Sequence, residues 1–118
     1  MRLLKRIEWK PFCDRISKAL RGSSVELEVV SLSIGDRFVS RWVPLIGLAY
    51  DSRADVLQIA LQNVDHAIES PQALWIDETP RGLVAIEIAA GESRNEVLRL
   101  REPLAWPLAA KLQENEDQ

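Results

Sequence analysis

His66 is the only histidine in the chain, and so the only side chain whose unperturbed pKa lies near neutrality. Asp65 and Glu69 are close to it in sequence, an arrangement from which a general base is conceivable. No paired nucleophile is signalled, and a turn histidine whose ring bonds locally is the plainer account. Asp77 with Glu78, and Asp51 with Asp55, are the best carboxylate pairs. A hydrolase needs two such groups converging with distinct pKa values, but both pairs fall at turns, where Asp is favoured for its local side-chain bonds. Cys13 stands beside Phe12 on an apolar stripe and reads as a small buried hydrophobe, not a reactive thiolate. With one His and one Cys, a tetrahedral zinc site would need several carboxylates, and no zinc-ligand spacing occurs. Gly35, Gly47, Gly82 and Gly91 form no phosphate-binding pattern. No catalytic residue, metal or cofactor is therefore expected.

Four tryptophans, Trp9, Trp42, Trp75 and Trp106, are many for this length. Aromatics fill cores and also anchor partner surfaces and ligand pockets. Trp9 and Trp42 are expected in the core. Trp75 has the opposite parity to Leu74 and Ile76, so it lies outside if those two face inward, and Trp106 is a candidate cover for it. Trp75, His66 and Trp106 are thus the candidate partner- or ligand-binding residues.

Residues 41–51 supply the organising strand. They form the longest apolar run, with apolar residues on both parities as in a central two-sided strand, and Pro44 should impose a bend or bulge there. Residues 1–7 fit a short strand, a helical turn or a frayed end. Trp9, Phe12, Cys13, Ile16, Ala19 and Leu20 recur at spacings of three and four, which predicts a helix over residues 11–21 with Pro11 in its first turn and Gly22 stopping it. The period then changes to two. Strands are expected at residues 25–34, bulged near Val29 and Val30, and from residue 37 into the organising strand after a two-residue Gly35-Asp36 turn. Further strands are expected around Leu57 to Leu61, Ala73 to Asp77, Val84 to Ile88 and Glu96 to Arg101, joined by turns at residues 51–55, 79–82 and 91–93.

Such short connections join antiparallel neighbours. The predicted class is α+β, an N-terminal helix on a curved antiparallel sheet of five to seven strands, with closure into a small barrel as an open alternative. Residues 1–108 are read as one domain and 109–118 as a polar, disordered tail. A net charge of -3, from 15 basic and 18 acidic residues, argues against nucleic acid or an anionic membrane as the main partner. No apolar stretch approaches the roughly 20 residues that span a bilayer, and the first turns lack a signal-peptide core, so a cytoplasmic location is expected.

Trp9-x-x-Phe12 at the start of a helix, the run from Val43 to Asp51, and His66-Ala67-Ile68-Glu69-Ser70-Pro71 together resemble a small bacterial family of uncharacterised proteins, a domain of unknown function. The resemblance spans most of the chain. It implies no activity, cofactor or catalytic residue, and draws attention to His66 within the matching segment. The functional expectation is a non-enzymatic domain that binds a protein partner or itself as a homodimer, because strand-rich chains with spare edges and an exposed aromatic can pair by edge or face. The alternative is a small-ligand binding protein or weak enzyme with a pocket involving His66.

Overall fold

In the computed structural model, which describes residues 1–91 and 93–105, one antiparallel sheet carries eight strands: β1 (Arg2–Leu3), β2 (Ser24–Ser31), β3 (Gly35–Asp51), β4 (Val56–Leu61), β5 (Val64–Glu69), β6 (Ala73–Thr79), β7 (Gly82–Gly91) and β8 (Arg94–Leu104). Their spatial order is β1-β6-β7-β8-β2-β3-β4-β5. Among the described residues a single helix, α1 (Arg6–Leu20), lies between β1 and β2 in the chain. This overturns the expected α+β sheet of five to seven strands: the described residues are mostly sheet, form eight strands and do not close into a barrel. The extra strands are β1, only two residues long, and β5, whose inward positions Val64, His66 and Ile68 include one strongly apolar side chain too few to stand out by alternation. The tail from residue 109 falls outside the described residues.

The long strand β3 is the hinge of the sheet. Its first part pairs with β2 and its second with β4, so the sheet folds back on itself there. The expected irregularity is present but brackets Pro44: register shifts occur beside Ser40 to Val43 and again between Leu45 and Gly47. Trp42 takes φ +53, a conformation that bulky residues rarely adopt, and this turns its ring outward instead of into the core. Ile46 and Ala49 are exposed as well, so the strand is not buried on both faces.

Turning the sheet back leaves the second part of β3 with a free edge, which the helix occupies. Gly22 N–H donates to Leu45 O at 2.8 Å, Leu45 N–H to Ser23 O at 2.9 Å, and Leu48 N–H to Ser17 Oγ at 3.0 Å. Backbone groups of β3 that would otherwise lie unpaired are thereby satisfied. Trp9, Cys13, Ile16 and Leu20 of α1 join Leu27, Leu45, Leu57, Ile59, Ile68, Ile86 and Leu98 in one core. The helix begins five residues before the expected Pro11. Leu4 N–H donates to Leu74 O at 2.9 Å, and the Glu8 carboxylate accepts the Lys5 N–H at 2.9 Å, which caps the first turn. Pro11 is thus interior, and the carbonyl it cannot serve belongs to Ile7, on the exposed face.

Two other details differ from expectation. β2 ends at Ser31 with Val25, Leu27, Val29 and Ser31 all facing inward, so no bulge at Val29 is needed, and Leu32 and Ile34 belong to the turn. The turn holds three residues, 32–34, with Ser31 opposite Gly35, and Gly35 takes the left-handed conformation (φ +79) that such a loop requires.

Candidate functional site

Two places on this scaffold hold chemistry-bearing groups. The first lies where β5 crosses the inner face of β8. His66 is in a strand, not a turn, and its Nε2 meets Glu96 Oε1 from thirty residues further on. Glu96 shares its parity with Leu98 and Leu100, so the strand drives a carboxylate into the core, where it is 1% exposed between Ile88 and Val29. Arg94 Nε lies 3.7 Å from its other oxygen. Burying a carboxylate is costly unless it is paired and hydrogen-bonded, and His66 and Arg94 supply those partners. A hollow of about 240 Å³ lies beside His66, lined also by Gln58, Ile59 and Asp65. The arrangement can exchange a proton or orient a small polar ligand. Among the described residues, no group of three or more His, Cys, Asp or Glu side chains is placed to hold a metal ion.

The second place is the outer face of the sheet. Glu26 is 5% exposed there and accepts bonds from Arg41 Nε at 3.0 Å and an Arg99 amino group at 3.2 Å, while Arg99 also donates to Glu28 at 2.7 Å. Burial works against the charge of Arg99, but the bonds to Glu28 and then Glu26 outweigh it and hold the guanidinium pKa above its ordinary value. Arg41 stacks over the Phe38 ring at 4.3 Å and Arg101 over the Trp42 ring at 5.7 Å. Phe38 is 44% and Trp42 37% exposed, and Leu32, Ile34 and Ile46 on the same stretch of chain are exposed too. The outer face is therefore an aromatic and guanidinium surface laced by a network of charges.

The predicted site residues do not converge. His66 is on the inner face of β5, Trp75 is half-buried on the outer face of β6 between Leu3 and Glu87, and Trp106 lies outside the described residues. The expected core position of Trp42 is corrected to a surface one, whereas Trp9 is buried, with its Nε1 donating to Leu4 O at 3.3 Å. Three of the four carboxylates singled out at turns have structural partners, and Asp77, within β6, has no side-chain partner among the described residues. Asp51 accepts the N–H groups of Arg53 and Ala54, Asp55 accepts from Tyr50 and Arg6, and Glu78 pairs with Arg2. Cys13 is fully buried, and burial pushes its thiol pKa up to about 12. Sequence reading missed Glu96, Phe38 and the arginines around them. The inward parity of Glu96 with Leu98 and Leu100 was the available signal for the first.

No solved structure matches this chain. An uncharacterized protein of Aquifex aeolicus (strain VF5) is 33% identical over 101 residues, covering 85% of this chain and 91% of the relative. The model of a family of unknown function, DUF5335, matches residues 1–109. With its whole described sheet inside that match, the chain belongs to the DUF5335 family.

Proposed function

We propose that this is a cytoplasmic, non-enzymatic protein-docking domain whose contact surface is the outer face of the sheet around β3. One observation carries the reading: of the eight large apolar side chains exposed among the described residues, five (Leu32, Ile34, Phe38, Trp42 and Ile46) fall on a single stretch of chain. Scattered exposed apolar residues are ordinary, but five along one stretch of chain, with arginines stacked on Phe38 and Trp42, have the composition of an interface centre. Photocrosslinking in cells from a reactive residue at position 42, with position 18 on the exposed side of the helix as control, tests it. Discrete protein adducts from position 42 alone are expected. No adducts, or the same adducts from both positions, overturn the reading.

The buried Glu96 beside His66 favours a second reading, a small polar ligand held in the adjoining hollow. Its test is a thermal-shift screen of small metabolites. A compound that stabilises the wild type but not a folded His66→Gln variant would replace the first reading with this one.

A further inference from the structure

The strand register lines up five outward side chains across the sheet: Trp75 on β6, Glu87 on β7, Val97 on β8, Glu28 on β2 and Phe38 on β3. The sequence of types along this line, apolar, acidic, apolar, acidic, apolar, reads the same from either end. We propose that a second copy of this chain docks face to face on the outer sheet surface about a two-fold axis running along β8, so that Trp75 of each copy meets Phe38 of the other. The proposal rests on the docking reading above and commits it to one occupant.

A two-fold axis lying in the interface along β8 superposes that line on its own reverse. Val97 meets its counterpart at the centre. At about 4.8 Å per strand, Trp75 and Phe38 stand about 19 Å apart, one at each end. Leu3 on β1 extends the Trp75 end, at 59% exposure, and Trp42 stands along β3 from Phe38 at the other end. Sheets pack face to face in this way through outward side chains, and no described element covers this face, because the helix and β4 and β5 lie against the other one.

The two ends of the neighbouring level of the sheet are complementary under the same operation. It runs from Asp77 on β6 through Ala85 and Arg99 to Glu26, where Arg41 of β3 binds. Asp77 has no cationic partner among the described residues, and Arg41 makes one bond to Glu26 with its side chain still largely exposed. The axis that brings Trp75 to Phe38 therefore brings Asp77 to Arg41. Between these ends the operation sets Arg99 against its own counterpart and Glu87 against the second copy's Glu28; Arg99 is already paired with Glu26 and Glu28 in its own chain, and Glu87 accepts a bond from the Asn95 amide at 3.2 Å. Closed two-fold contacts use each surface once and both ends together, as this pattern requires.

Sedimentation equilibrium of the full chain tests the proposal, with Trp75→Glu, Phe38→Lys and the double variant, each checked for folding by circular dichroism. The wild type is expected to be a dimer in the micromolar range. Each single substitution should weaken it by about tenfold or more, and the double variant, in which an ion pair replaces each aromatic contact, should regain most of the loss. If Trp75→Glu does not fold, Leu3→Glu takes its place. A monomeric wild type, a dimer indifferent to the single substitutions, or a double variant weaker than both singles overturns the proposal. A monomer that still gives adducts with a different protein from position 42 overturns the second-copy occupant and leaves the docking reading standing.

Discussion

Ser17, near the C-terminal end of the helix, accepts the backbone N–H of Leu48 in β3 at 3.0 Å, so a side chain stands where a strand would otherwise pair. Gly47 permits the approach: a Cβ there would lie 3.3 Å from Ser17 Oγ. Ser17→Ala leaves that N–H without its partner beside a buried leucine and is expected to cost about 1–3 kcal/mol. Urea denaturation should show a lower midpoint at an unchanged slope.

At the other side of the sheet the margin is smaller. Gly82 has φ +126, and a Cβ added to it would fall 2.0 Å from Leu104 O, a backbone atom that cannot swing away. Gly82→Ala is expected to destabilise by about 4 kcal/mol or more, read as loss of the cooperative thermal transition at ordinary temperatures.

Alkaline stability should depend on Cys13. In the unfolded chain the thiol ionises near 9, whereas burial first, and Asp14 second, raise the folded value to about 12. The folded state then binds more protons across that window, so this contribution is complete below pH 9 and is lost as pH rises toward 12. Tyr50 adds a loss of the same sign above its ordinary pKa of 10, because its bond to Asp55 favours the protonated phenol. Cys13→Ala should show a shallower fall in stability than wild type over this range, and the native thiol should resist alkylation at neutral pH.

Removing one member of the buried acid and imidazole pair is expected to cost more than removing both. His66→Ala leaves Glu96 with Arg94 alone, at 3.7 Å, and should destabilise by about 3 kcal/mol. A double His66→Val, Glu96→Val variant should recover most of that in urea titrations, because an apolar pair suits the surroundings of Ile88 and Val29.

What could be read from the sequence was local. The α1 stripe, the stop at Gly22 with φ +84, the turn after Asp51, the inward set of β4, and Ile86 and Ile88 of β7 each follow from periodicity within a few residues, whereas a register shift buries Leu83 in place of Val84. The outward parity of Trp75 was legible in the same way. Trp42 was not, because one left-handed residue inside a strand reverses which face follows, and sequence alternation carries no mark of it. The start of the helix was hidden by Pro11, which usually opens helices and here sits inside one. The pairing of His66 with Glu96 depends on how β3 folds the sheet over, a long-range fact that no local pattern encodes.

The neighbour of β2 across the sheet is β8, with Val25 opposite Leu100. A ribosome therefore releases the first partner long before the second has been made. Until β8 emerges, the edge of β2 that it will cover is open to any passing chain, and nucleation that depends on this pair must wait until residues 94–104 have been made. Refolding should accordingly be slow for a domain of this size, and nascent chains that stop short of residue 94 should be the aggregation-prone species in the cell.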